Sequence, residues 1–160
     1  MSDSGVLLVR HGKAEDGHPL GDKARALTTE GRREFREHAQ RLAATIRLTS
    51  VITSPLVRAV QTAEVLADAL GIDGIVVARE LSTDGSAERL ADFAREVGTG
   101  HALVGHNPTI AEAVSLLLGR RGEPRFRKGA AAALAPVSGK AAWRLLWTAS
   151  PGRGFETELD

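Results

Sequence analysis

The sequence predicts an α/β fold: a single three-layer α/β/α domain with a mostly parallel central sheet and a C-terminal β-hairpin. Three features of the chain lead there. Short apolar runs alternate with segments of helical periodicity, without an internal repeat or a linker. The first run, Val6-Leu7-Leu8-Val9, is apolar at every position, as a strand covered by helices on both faces must be. The last two runs are separated only by turn residues, which favours antiparallel pairing. With 160 residues the chain has room for one domain, 1–160, and for a core that needs no covalent staples.

After the first strand, residues 11–26 are polar and rich in turn formers, a loop of the length that is usually functional or disordered. Phe35, Ala39, Leu42 and Ile46 then recur at helical spacing, with Thr28 or Thr29 available as N-cap, so 28–46 reads as a surface helix. Residues 50–53 are a brief β-branched run stopped by Pro55. The next segment carries Val60, Ala63, Leu66 and Leu70 on one face and ends at Gly71, a suitable C-cap. A third strand is expected over 74–78, and a helix opened by Ser86 and closed by Gly98 follows. The fourth strand, from His101, again ends on a glycine and a histidine. Thr109 is expected to cap the next helix, whose Leu116, Leu117 and Leu118 pack inward. Residues 120–129 form a basic loop. Two strands about the turn Ser138-Gly139 make the hairpin, and 150–160 is expected to fray.

Charge and composition exclude several classes. Twenty-one Lys and Arg against 20 Asp and Glu leave a net charge of +1, so no global field attracts nucleic acid or membrane, and any basic site must be local. The lack of cysteine rules out disulfides, thiolate zinc sites and cysteine nucleophiles. The first residues lack the basic and apolar stretches of a signal peptide, and no apolar run reaches the ~18 residues of a membrane span. A soluble, cytoplasmic protein is expected.

Four side chains stand at or just beyond strand ends: Arg10 and His11 after the first strand, Arg58 just past Ser54-Pro55, and His106 after the fourth. In open α/β sheets, ligands bind outside the carboxyl ends of the strands. Two guanidinium groups and two imidazoles meeting there suit a phosphoryl group, whose oxygens accept bidentate hydrogen bonds and share its charge during transfer. A neutral histidine nitrogen can attack phosphorus as Ser or Cys does elsewhere. No metal is expected, because Arg10 and Arg58 would repel a cation and no carboxylates cluster with the histidines. Each residue also has a plainer reading. Arg58 alone could be a solvated helix residue, although its place near a helix N-terminus favours anions. His106 could cap the next helix, although Asn107 and Thr109 are better caps. His18, His38 and His101 read as loop, helix surface and strand start.

These residues carry a resemblance. Val9 to Glu15, "VRHGKAE", resembles the Arg-His-Gly signature of the histidine phosphatase superfamily, the phosphoglycerate mutase-like proteins. "LTTEGRRE", "SPLVRAVQTAEVLADAL" and "LVGHNPTI" resemble its later blocks, in the same order and at similar separations, so that the likeness runs from Val6 to about Leu118. Within the superfamily the chain is similar to the short SixA-type phosphohistidine phosphatases: it is small, has almost no insertion between "REL" and "GHNP", and ends in a brief basic loop and a hairpin. The resemblance implies that His11 is the phosphorylated nucleophile and that Arg10, Arg58 and His106 hold the phosphoryl oxygens, with Gly12 and Asn107 beside them as substrate-binding residues.

One part of the pattern does not carry over. Phosphomonoesterases of the superfamily usually place an acid after the third strand to protonate the leaving alkoxide. Here that segment offers Glu80, Asp84 and Glu88 outside the mutase-like pattern, Glu80 preceding Leu81 where the mutase-type acid lies beyond the corresponding leucine. Glu80 and Asp84 stay candidates for a general acid. An alkoxide needs such a proton, worth about 10²–10⁴-fold in rate, whereas imidazole leaves readily and can be protonated beforehand. The basic loop holds Arg120, Arg121, Arg125, Arg127 and Lys128 against Glu123, and reads either as a solvated surface or as a rim for an acidic protein or a second phosphate, with Arg125 and Lys128 as its binding residues. Phe126 is its sole aromatic, too few for stacking on nucleic acid. The expected activity is therefore hydrolysis of phosphohistidine on a protein, of the histidine-containing phosphotransfer domain type, by a monomer through a covalent phosphohistidine enzyme and without a cofactor. A small-molecule phosphomonoesterase and a phosphate-binding module without turnover are the alternatives.

Overall fold

The strand that opens the chain, β1 (Val6–Arg10), lies in the interior of a seven-stranded sheet. The computed structural model describes residues 5–160; the expectation of no leader sequence falls in part on residues 1–4, outside the described residues. In chain order the elements are β1, α1 (Thr29–Thr45), β2 (Ser50–Thr53), α2 (Val57–Leu70), β3 (Val76–Val77), α3 (Ala87–Val97), β4 (His101–Gly105), α4 (Thr109–Leu117), β5 (Ala131–Pro136), β6 (Trp143–Ala149) and β7 (Phe155–Glu156). The sheet order is β3-β2-β4-β1-β5-β6-β7. The strands from β3 to β1 pair in parallel, and β5, β6 and β7 continue the sheet antiparallel.

Alternation along β1 divides the core in two. Leu7 and Val9 face one way, onto Phe35, Ala39 and Leu42 of α1 and Ala59, Ala63 and Leu66 of α2. Val6 and Leu8 face the other, onto Leu90 and Ala91 of α3 and Ile110 and Val114 of α4. All four β1 side chains are fully buried, each worth about 1.5–3 kcal/mol of hydrophobic stabilisation. That is why the strand has no polar position until its last residue. The three-layer architecture and the β5–β6 hairpin follow the sequence pattern. Thr28 caps α1 by accepting from Gly31 N, Ser86 caps α3 by accepting from Arg89 N, and Gly71 and Gly98 end α2 and α3.

Four expectations require correction. The third strand is only Val76–Val77, an edge strand with both side chains more than half exposed. Thr109 is the first residue of α4 and caps nothing with its side chain; Pro108 holds the cap position. His38 is buried, because it lies one turn from Phe35 on the same stripe as Ala39 and Leu42. The tail does not fray. Arg41 of α1 donates to the carbonyls of Ser150 and Arg153, its guanidinium sits 5.9 Å from the Phe155 ring centre, and β7 pairs with β6.

The first turn of α1 presses on the loop that leaves β1. Gly31 has no room for a side chain: an added Cβ would clash with Lys13 O, far inside van der Waals contact distance, and lie 2.9 Å from Lys13 Cβ. Thr28 N also donates to Lys13 O, fixing the same backbone. Gly31→Ala is therefore expected to cost about 1–3 kcal/mol or more, as overpacking does, in urea unfolding. Gly17→Ala is the control, since nothing lies within 4 Å of its Cβ position, and should stay within about 0.5 kcal/mol of the parent. Equal midpoints for the two variants would disprove the close approach.

Candidate active site

Sheet register brings the strand ends together. β1 and β4 pair with Arg10 opposite Gly105, and β2 and β4 with Thr53 opposite Val104, so the residues that follow, His11, Ser54 and His106, emerge side by side. His11 N donates to Gly105 O and Ser54 N to Val104 O, extending the ladder past the formal strand ends. From these adjacent strands the chain turns to opposite faces, β1 toward α1 and β4 toward α4. In open α/β sheets a ligand-binding crevice lies where the chain divides in this way.

His11 is 7% exposed, and its ring lies 5.1 Å from that of His106, centre to centre. Its Nδ1 is 2.7 Å from the carbonyl oxygen of Gly12. A carbonyl only accepts, so Nδ1 carries the ring proton and Nε2 keeps its lone pair. Burial, aided by the charges of Arg58, Arg10 and Arg25 and opposed by the Gly12 bond, lowers the His11 pKa to about 4. The ring is thus neutral at pH 7, with the lone pair of Nε2 unprotonated. Gly12 itself is tied down, its N–H donating to Thr62 Oγ1, which donates in turn to Arg58 O one helical turn back.

Around it stand donors without partners. Arg58 is 5% exposed and its Nε is buried with no hydrogen bond. Arg10 Nη1 donates to Phe126 O at 3.0 Å, while its Nε is likewise buried and unpaired. Burial lowers the Arg10 pKa from its ordinary value, against the attraction of Glu123. His106 Nε2 is 2.7 Å from Ser54 Oγ, which also accepts from Leu56 N. Where Ser54 donates its proton to Nε2, the ring proton of His106 sits on Nδ1, buried and unpartnered. Burial, then the neighbouring His11 and Arg58, pushes the His106 pKa down to about 3. Unpaired buried N–H groups are costly, and an anion with several acceptor oxygens would satisfy them.

The remaining candidates are spread more widely. Asn107 Nδ2 donates to the same Phe126 carbonyl that Arg10 holds, so it braces the loop that steadies Arg10. Glu80 and Asp84 are exposed and line a cleft of about 710 Å³ with Arg79, Arg89 and Phe93; His11, Arg58 and His106 are not among its walls. Asp84 also borders a cleft of about 460 Å³ with Lys23, Pro55 and Ser82. Arg125 lines another with the tail residues Glu156, Glu158 and Asp160, and Lys128 is exposed. Sequence reasoning missed Ser54, Thr62, Asp22 and Arg25. Thr62 was detectable as the residue four after Arg58 on one helix face; Asp22 and Arg25 lie in a loop whose pattern says nothing of where it folds.

Three buried rings, those of His11 and His38 with pKa values lowered to about 4 and that of His106 to about 3, bind fewer protons folded than unfolded, where the value is 6.5. Stability gained from keeping them neutral is present above pH 6.5 and is lost as pH falls toward 4. Tm is accordingly expected to fall steadily from pH 7 to pH 4, and less steeply in a His38→Gln variant. A Tm indifferent to pH in that window would show that these rings do not titrate as their burial requires.

Residues 6–83 match the model of the histidine phosphatase superfamily, branch 1. Over 74 residues the chain is 39% identical to a probable phosphoglycerate mutase GpmB of Enterobacter sp. (strain 638); the match covers 44% of this chain and only about a third, 34%, of that relative. Among solved structures it is similar to the protein histidine phosphatase SixA complexed with tungstate, with 27% identity, TM-score 0.78, and coverage of 92% of this chain and 97% of the other. A putative phosphohistidine phosphatase SixA from Agrobacterium tumefaciens gives 28% identity and TM-score 0.77, over 94% and 99% of the two chains. Strand order, the Arg-His-Gly turn and these likenesses point the same way: residues 6–83 match the histidine phosphatase superfamily model, and the whole fold is similar to the SixA structures.

Proposed function

We propose that this chain is a phosphatase that hydrolyses phosphohistidine on a protein through a covalent phosphohistidine at His11. The observation that carries the reading is the buried, neutral His11 with Nε2 free, set among unpartnered N–H groups of Arg10 and Arg58 and beside His106. In the first step Nε2 attacks phosphorus, and the P–N bond to the substrate ring breaks with its electron pair remaining on that ring. A substrate imidazole whose other nitrogen is protonated leaves neutral. Arg10, Arg58 and His106 donate to the equatorial oxygens, where charge is spread in the transition state. Water then attacks phospho-His11 and its proton passes to the phosphate. Because Nδ1–H stays bonded to Gly12 O, the His11 ring departs as the same neutral tautomer that began the cycle. Arginine charge supplies the electrostatics, and no step calls for a metal.

Two further observations support phosphohistidine over an alkyl ester. Glu80 and Asp84, the candidate acids, are exposed and line a cleft whose walls do not include His11. The SixA structures, above a quarter identical, are described as protein histidine and phosphohistidine phosphatases.

His11→Ala is expected to abolish turnover and the acid-labile, base-stable phosphoenzyme trapped by rapid quenching, with the fold intact. Arg58→Lys should lose at least about 10²-fold in kcat, since an ammonium cannot reproduce a two-pronged contact. Full activity in His11→Ala would refute the mechanism.

Substrate class is tested by comparing kcat/KM for a phosphohistidine protein, an aryl phosphate and an alkyl phosphate, expected to fall in that order. Glu80→Gln and Asp84→Asn should change phosphohistidine cleavage by no more than a few-fold. A large loss confined to the alkyl ester would identify a general acid and make the small-molecule phosphomonoesterase the correct reading.

A further inference from the structure

The loop between β1 and α1 carries a carboxylate that the phosphatase mechanism leaves without a role. A 3₁₀ turn, Asp22–Ala24, sets Asp22 between two arginines. Its Oδ1 accepts from Arg25 Nη1 at 2.8 Å and its Oδ2 from Arg58 Nη2 at 3.2 Å; its backbone carbonyl accepts from Arg58 Nη1 at 2.9 Å. One residue thus grips Arg58 twice and ties it to Arg25, 33 positions away in the chain.

The pattern on Arg58 is informative. A guanidinium presents an end edge, between its two Nη atoms, and side edges, of which one includes Nε. Asp22 contacts both Nη atoms and therefore holds the end. Nε is left buried and unpaired, on the edge that Asp22 does not cover. A carboxylate that merely plugged the site would occupy the edge a phosphoryl group needs. Here the unsatisfied donor is on the other one. Both Asp22 oxygens face guanidinium groups, which keeps its pKa below the usual carboxylate value, Arg25 contributing most, so a proton-donor role does not suit it. Its charge also offsets the mutual repulsion of Arg25 and Arg58, both close enough to His11 to depress its protonation.

We propose that Asp22 is a positioning residue: holding the end of the Arg58 guanidinium, it aims the edge bearing Nε at the phosphoryl group, and it holds Arg25 beside the site with the same carboxylate. The inference rests on the phosphatase reading above. It assigns the β1–α1 loop a share in building the phosphoryl site.

The test is a double-mutant cycle read by kcat/KM for an aryl phosphate and by inhibition with inorganic phosphate, on wild type, Asp22→Ala, Arg58→Ala and the double variant, with thermal melting as a check on folding. The Asp22 side chain is 56% exposed on a loop, so folded variants are expected. Asp22→Ala should lose about 10–100-fold in kcat/KM, as a displaced donor does, and should bind phosphate more weakly. In the Arg58→Ala background the same substitution should change kcat/KM by less than about 3-fold, because its principal target is gone and only its hold on Arg25 is left to lose. Asp22→Asn, which preserves shape and one acceptor, should lose less than Asp22→Ala. An equal loss in both backgrounds would overturn the proposal and put the role of Asp22 elsewhere. Tighter phosphate binding or faster turnover in Asp22→Ala would also overturn it, and would make Asp22 a plug. Undiminished activity of Arg58→Ala with Asp22 intact would instead defeat the phosphatase reading itself.

Discussion

The backbone ladder between β1 and β4 is the constraint on which the rest of the molecule depends. Parallel pairing with Arg10 opposite Gly105 carries on through the bond from His11 N to Gly105 O, and only that register makes the two histidine rings neighbours. A slip by one residue would turn every side chain of β1 to the opposite face, sending Leu7 and Val9 away from α1 and α2. Packing on both faces therefore locks the alignment. The geometry of the crevice is inherited from the core, which explains how His11 and Arg58 can be held buried while Nε of Arg58 keeps no partner.

Electrostatics and burial act together there. Imidazoles withdrawn from water and set beside guanidinium groups do not take up protons at neutral pH, so the crevice concentrates fixed charge on arginine and leaves its histidines neutral. The Phe126 carbonyl, shared by Arg10 and Asn107, steadies this arrangement from the side of the basic loop. Phe126 packs its ring into the core, so the loop is anchored by an aromatic that the charge pattern alone would class as surface.

Much of this was legible in the sequence because it depends on local pattern. The unbroken apolar run of Val6–Val9, the cap residues Thr28 and Ser86, and the repeated histidine after a strand each announce themselves within a few positions. What stayed hidden depends on partners distant in the chain. His38 looked exposed because histidine is polar, although its place one turn from Phe35 already put it on the buried stripe. The tail looked frayed because the residue that orders it, Arg41, lies on α1. Thr109 looked like a cap, yet the chain had entered the helix one residue earlier than its hydroxyl required. Asp22 sits in a turn-rich loop whose composition gives no hint that it reaches Arg58.

The position of β1 has a consequence for how the chain acquires its structure. It precedes both of its neighbours in the sheet, β4 and β5, and α1, β2, α2, β3 and α3 are all made before the first of them. Until they arrive, an apolar segment with β-forming residues has both hydrogen-bonding edges open. Folding must bring together contacts far apart in sequence, which slows it and leaves Val6–Val9 available to other chains in the meantime. The segment that organises the crevice is thus also the one whose exposure invites aggregation during synthesis, and the polar, turn-rich residues that follow it keep that apolar run short.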